Sequence, residues 1–121
     1  MRRLLSAGAL VGLALLATAC GQDEAHWSGT WRTSYGTMVL HQDGTAVTGS
    51  YTFCDGTIDA EADGTRLSGT WHQRRGCDGT DSSEGPFDFE LGSGETSFTG
   101  SWRYAGGGPA GEGRWTGRRS D

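Results

Sequence analysis

Lysine is absent from these 121 residues. The basic side chains are ten arginines, set against fifteen acidic residues for a formal net charge of −5. Without Arg2 and Arg3 the rest of the chain carries −7. A nucleic-acid reader needs a concentrated basic footprint, so scattered arginines in an acidic chain exclude that class of partner. Catalytic signatures are missing too. There is no Cys-X-X-Cys pair and no Gly-X-Ser-X-Gly elbow, and Gly92-Ser93-Gly94 reads as a turn. The run Asp59-Ala60-Glu61-Ala62-Asp63-Gly64 has the acidic spacing of a calcium loop, but Thr70 stands where an EF-hand needs its closing glutamate. It reads as a strand with an acidic outer face ending in a turn. His26, His41 and His72 read as solvated polar residues. Asp88 and Glu90 read as surface carboxylates opposite Arg103 and His72, in ion pairs worth little. No acid, base and nucleophile come together, so a non-catalytic protein with no metal and no cofactor is expected.

The first nineteen residues give a location. Arg2 and Arg3 form a basic start, and Leu4 to Ala17 is an apolar run too short to span a membrane as a mature helix. Thr18 and Ala19 are small and precede Cys20. This ending resembles the bacterial lipobox, although Ala17 stands where that motif usually has leucine. The resemblance implies a signal peptide over 1–19, cleavage before Cys20 and acylation of Cys20. Residues 20–26 are then a lipidated cysteine with a short tether reaching about 20 Å when extended. A domain over 27–121 follows, held at a cell membrane or outer membrane and facing the extracytoplasmic space.

That domain is built on a repeat. Ser28-Gly29-Thr30-Trp31, Thr48-Gly49-Ser50-Tyr51, Ser68-Gly69-Thr70-Trp71 and Thr99-Gly100-Ser101-Trp102 share one pattern, with glycine spacings of 20, 20 and 31. A 20-residue period fits one hairpin of two short strands. Asp43-Gly44, Asp55-Gly56 and Asp63-Gly64 are hairpin-turn signals. Period-two alternation predicts strands over 27–35, 37–42, 46–53, 57–62, 66–73, 86–91, 97–104 and 113–118. Trp31, Met38, Leu40, Val47, Tyr51, Phe53, Ile58, Ala60, Leu67, Trp71, Phe87, Phe89, Leu91, Phe98, Trp102 and Trp115 share the inner face. Glycines 29, 49, 69 and 100 leave room for neighbouring rings and let the sheet coil. The fold class is all-β. Tight sequential turns favour an eight-stranded antiparallel up-and-down meander barrel, whose closure removes exposed edges; a two-sheet sandwich is the alternative.

The tetrapeptide Cys-Asp-Gly-Thr occurs twice, at 54–57 and 77–80. Cys54 ends the third strand, and Cys77 lies in a long loop after the fifth. In an up-and-down order both reach the rim distal to the tether. Three cysteines less the lipidated Cys20 leave an even pair in an oxidising compartment. Two cysteines with His41 and His72 on non-adjacent strands do not supply four metal ligands. A Cys54–Cys77 disulfide is expected, closing about 24 residues and adding roughly 3.5 kcal/mol on the chain-entropy account.

The inward rings leave two readings open, a packed core or an aromatic cup open at the distal rim. In the cup, Tyr51, Phe53, Trp71 and Trp102 are the candidate ligand-binding residues. Arg74 and Arg75, in the insertion near Cys77, are candidates for an anionic group or a partner's carboxylate. The function expected is a membrane-anchored barrel binding a small apolar or aromatic ligand. The alternative is a protein-interaction module, an inhibitor or adaptor for an extracytoplasmic protein, using the rim loops around Cys77 and Gly107.

The stretch Gly29 to Phe53, GTWRTSYGTMVLHQDGTAVTGSYTF, resembles the opening hairpins of the avidin and streptavidin family, which belongs to the calycin barrels. The shared features are Gly-Thr-Trp, a glycine five residues after the tryptophan, an Asp-Gly turn and a later Thr-Gly-Ser-Tyr in place of Thr-Gly-Thr-Tyr. The resemblance implies an eight-stranded barrel in which an arginine from the last strand, Arg114, Arg118 or Arg119, covers Trp31. Of that family's ligand contacts in this stretch only the tyrosine is matched, by Tyr51. Thr33 and Thr37 replace its asparagine and serine, so the resemblance implies the fold and not biotin.

Overall fold

The alternating pattern folds into eight antiparallel strands that close on themselves. The structure is a computed structural model and describes residues 26–106 and 111–120. The signal segment, Cys20, the tether to residue 25 and Gly107 lie outside the described residues. The strands are β1 (Gly29–Thr33), β2 (Gly36–Asp43), β3 (Ala46–Tyr51), β4 (Gly56–Asp63), β5 (Arg66–His72), β6 (Glu84–Leu91), β7 (Ser97–Arg103) and β8 (Glu112–Arg119). Each pairs with its neighbour in sequence, and β8 returns to β1. The closing seam is short, with three register pairs: Trp31 with Arg119, Arg32 with Arg118, and Thr33 with Gly117. This is the expected meander barrel, and the sandwich falls away because no sheet edge is left open.

Turn chemistry sets the hairpins. Asp43 pairs with Ala46 and Asp63 with Arg66, so the two-residue loops are Gly44-Thr45 and Gly64-Thr65, one residue later than the Asp-Gly pairs suggest. Gly44 (φ 67°) and Gly64 (φ 60°) take the left-handed first position without steric cost. The third Asp-Gly pair makes no such hairpin. Phe53–Asp55 form a 3₁₀ turn with Cys54 and Asp55 both at φ 54°. Left-handed backbone is unfavourable for non-glycine residues, so this turn needs holding from outside. The hold is the Cys54–Cys77 disulfide, with Cα atoms 5.6 Å apart. The Arg74 backbone amide adds a hydrogen bond to the Cys54 carbonyl at 3.0 Å. Because β3 stops at Tyr51, Phe53 leaves the inner face and is 39% exposed, which corrects its expected inward position.

The coiling glycines act mainly through backbone approach. A Cβ on Gly49 would lie 2.2 Å from the Val39 carbonyl oxygen, and one on Gly69 would lie 2.1 Å from that of Asp59. Neighbouring strands therefore press closer there than any side chain allows. Rings instead cover other glycines: Phe98 lies over Gly117 and Trp102 over Gly113.

The barrel's outer face is polar along its strands, with Thr48, Ser50, Asp59, Glu61, Asp88, Glu90, Arg114 and Arg118 all exposed. A bilayer-spanning barrel has an apolar outer band, so this face is built for water. Asp88 meets Arg66 at 3.3 Å and accepts a 2.6 Å hydrogen bond from Ser68, and Glu90 accepts one from Thr65; Arg103 is not their partner. His72 lies 3.3 Å from Glu84. Among the described residues no helix is long and apolar enough to cross a membrane.

The end nearest the N-terminus is solid. Trp27, expected in β1, lies just before that strand and tucks beneath the barrel, fully buried. Its ring centroid is 6.0 Å from those of Trp31 and Phe98 and 6.3 Å from that of Phe89. Trp31 Nε1 donates to the Trp27 carbonyl at 3.0 Å. Arg119 seals this end with its guanidinium carbon 4.2 Å from the Trp31 ring centroid. It donates to the carbonyls of Ser28 (2.7 Å), His26 (2.9 Å) and Glu95 (3.1 Å). Of the three arginines considered for this contact, Arg119 makes it.

Candidate functional site: an aromatic cup at the distal end

At the opposite end the rings part around a cavity of about 210 Å³. Four elements build its wall. Tyr35 stands in the turn after β1, Trp71 near the end of β5, Trp102 and Tyr104 at the end of β7, and Trp115 in β8. Phe53 adds a rim contact from its exposed turn, 5.5 Å from Tyr35 centroid to centroid. Tyr104 is there because inward alternation runs past the strand end: Phe98, Gly100, Trp102 and Tyr104 share one face.

The rings meet at steep angles. Trp71 and Trp102 are 5.9 Å apart at 86°, Trp71 and Tyr104 are 5.7 Å apart at 67°, and Trp102 and Tyr104 are 5.1 Å apart at 70°. Tyr35 stands at 82° to Trp102 and at 75° to Trp115. Each edge-to-face contact sets a positive ring edge on a negative ring face, so the walls brace one another.

Every indole N–H of the wall is bound to protein. Trp71 Nε1 donates to the Arg103 carbonyl at 3.1 Å, Trp102 Nε1 to the Tyr35 hydroxyl at 2.9 Å, and Trp115 Nε1 to Thr33 Oγ1 at 3.3 Å. These bonds lock the ring orientations before any guest arrives.

The segment between β5 and β6, residues 73–83, brings two polar groups to the cup, Gln73 and Asp78. The disulfide holds it by Cys77, and Asp78 follows directly. Asp78 Oδ2 accepts the Tyr104 hydroxyl at 2.8 Å, and Oδ1 accepts the Thr80 amide at 3.1 Å and hydroxyl at 2.9 Å. Partial desolvation pushes the Asp78 carboxyl upward, but the Tyr104 and Thr80 hydrogen bonds outweigh it and hold the group below its usual range. The Tyr104 hydroxyl is shifted up, by burial first and then by its bond to Asp78. Tyr51 is also shifted up, by burial and then by the nearby Asp78 and Tyr35. It stays neutral through the physiological range.

The expected site residues divide. Trp71, Trp102 and Phe53 line the cup, the last from the rim rather than from a strand. Tyr51 sits behind the wall, packed on Trp115 at 4.9 Å, with its hydroxyl donating to Gln73 Oε1 at 2.7 Å. Arg74 and Arg75 are outside the cup. Arg74 pairs with Asp55 and lies 3.3 Å from Cys77 Sγ, and Arg75 donates to the Asp81 carbonyl at 2.9 Å. Arg74 ties the loop to the β3–β4 turn, and Arg75 ties the loop to itself. The sequence reading missed Tyr35, Tyr104, Gln73 and Asp78, and placed Trp115 inward without assigning it to the site. Alternation continued one step past Trp102 finds Tyr104, and a carboxylate beside a clasped cysteine is the signal for Asp78. Among the described residues no group of histidine, cysteine and carboxylate side chains is placed to hold a metal ion. No family model, curated protein or solved structure matches this chain.

Proposed function

We propose that the protein is a lipid-anchored extracytoplasmic lipoprotein whose non-catalytic barrel binds a small apolar or aromatic ligand in the distal cup. The observation that carries this reading is the cavity of about 210 Å³ walled by orthogonal rings whose N–H groups are already bonded. A site that is apolar, concave and braced in advance is the usual form of a small-molecule pocket. Its volume lies below that of drug-sized sites, so the guest is small. The anchor rests on the lipobox-like ending at Cys20, and an extracytoplasmic location is supported by the disulfide at the rim, a bond suited to an oxidising compartment. Kinship with the avidin-like calycin barrels is part of the same proposal, supported by the Arg119–Trp31 stack across the closing strands.

A native, non-reducing mass spectrum of protein purified from an oxidising secretory compartment tests it. The expected result is a species two daltons light for the disulfide, carrying a stoichiometric extra mass that denaturation releases. A bare species that also fails to take up indole, phenol or aliphatic solutes would move the function to the rim, where exposed Phe53 favours a protein partner instead.

A further inference from the structure

We propose that the cup is a cage for a small organic cation, an alkylated ammonium group, with Asp78 as its counter-charge. The inference rests on the small-molecule reading above and gives the guest its charge. Three observations carry it. Trp71, Trp102 and Tyr104 stand at 86°, 67° and 70° to one another, with Tyr35 at 82° to Trp102, so ring walls face the space from different directions. Ring faces carry negative potential, and several of them around one site is the arrangement that holds quaternary ammonium groups.

The second observation is the donor inventory. The indole N–H groups of the wall and the Tyr104 hydroxyl are spent on protein acceptors. An anionic guest is best held by a cation, and among the described residues the lining includes neither arginine nor lysine. Arg74 and Arg75, the nearest basic residues in the loop, are turned to Asp55 and to the Asp81 carbonyl. The neutral polar groups of the lining, the Tyr35 hydroxyl and the Gln73 amide, already accept from Trp102 Nε1 and the Tyr51 hydroxyl, and they bring no positive charge.

The third is the single charge on the wall. Among the described residues Asp78 is the one carboxylate in the lining, and it is fixed rather than free. Its side chain is tied to Tyr104 and Thr80, and its backbone to the disulfide through Cys77. A carboxylate bonded to one wall ring, Tyr104, on a loop held by a covalent clasp is preorganised for a cation whose methyl groups touch the rings.

Choline and 3,3-dimethylbutan-1-ol test this on the full-length, disulfide-bonded chain in mild detergent. The two have the same shape and differ by carbon in place of the ammonium nitrogen. Calorimetry, with the cup tryptophans as fluorescence reporters, is expected to show choline binding at least tenfold more tightly than the alcohol. Asp78→Asn is expected to weaken choline about tenfold and to leave the alcohol unchanged. The two-ligand comparison uses the unaltered chain, so it stands even where Asp78→Asn disturbs the loop. Phosphocholine in place of choline separates a lipid headgroup from a free ammonium solute, and tighter binding of either supports the cage. Equal affinity for choline and the alcohol, or binding of the alcohol or of indole without choline, overturns the cation inference and leaves the small-molecule reading standing. No binding of any of them overturns both.

Discussion

The two ends of the barrel use the same residue types to opposite effect. At the N-terminal end Trp27, Trp31, Phe89 and Phe98 fill the bore, with Phe89 and Phe98 stacked at 4.2 Å, and Arg119 caps them. At the distal end Trp71, Trp102, Trp115, Tyr35 and Tyr104 surround about 210 Å³ of space. The difference lies in what the chain adds from outside the strands. At the closed end the entering segment contributes one more large ring, Trp27, aimed into the bore. At the open end the inserted loop, tied to the β3–β4 turn by the disulfide, contributes two polar residues, Gln73 and Asp78, and no ring. A cup therefore needs no special strand sequence, only one missing plug.

The largest test of this contrast is a pair of truncations. Trp31→Ala removes a fully buried ring that supports Trp27, Phe98 and the Arg119 cap, and is expected to cost about 3–5 kcal/mol in urea unfolding. Trp102→Ala, at a half-buried ring that already borders a cavity, is expected to cost about half as much. Equal costs would mean that the distal end is packed as tightly as the other.

Next in size is the clasp. Replacing Cys54 and Cys77 by serine is expected to lower stability by roughly 3.5 kcal/mol. Amide exchange should rise in residues 73–83 and in the left-handed Cys54–Asp55 turn, while Trp31 and Arg119 keep their protection. Faster exchange at both ends alike would show that the rim and the plug do not open separately.

At the closed end, Arg119→Ala removes one ring contact and three hydrogen bonds to carbonyls, for an expected loss of about 2 kcal/mol. Arg119→Lys should recover less than half of it, since an ammonium cannot span all three acceptors in one plane.

The smallest effect belongs to the cup. Tyr104→Phe keeps the ring and deletes the hydrogen bond to Asp78, for about 1 kcal/mol. Asp78 also confers a pH dependence. Its folded-state pKa lies below its unfolded value, so its contribution is present above about pH 4 and is lost as acid passes through the lowered value. Loop 73–83 should therefore loosen below that pH before the Trp31 end does, and Tyr104→Phe should shift the loosening upward. A loop insensitive to acid would show that Asp78 does not hold it.

Much of this architecture was legible because it is local. The four Gly-centred motifs and period-two alternation marked the strands and the inward rings, and each hairpin needs only its own turn and its neighbour. The errors fell where locality ends. Phe53 continued the alternation of β3 on paper, but the clasp draws Cys54 into a left-handed turn and swings the ring to the rim. Trp27 lies on the inward phase of β1, yet it serves as a plug because the chain enters there. Tyr35 stands in the turn after β1, where side-chain direction depends on the turn, whereas Tyr104 keeps the phase of β7 one step past its end.

Alternation and turn residues act between neighbours, so they were enough to read eight antiparallel strands with aromatic rings on one face and polar residues on the other, with barrel and sandwich both open. Pairing of β8 with β1 closed the sheet, and the folded chain fixed which end is plugged, which is hollow, and that Asp78 lines the hollow. The plug and the place of Asp78 depend on where a segment lands after the barrel has closed, and that is set by contacts between residues far apart in the chain, above all Cys54 with Cys77 and Trp31 with Arg119.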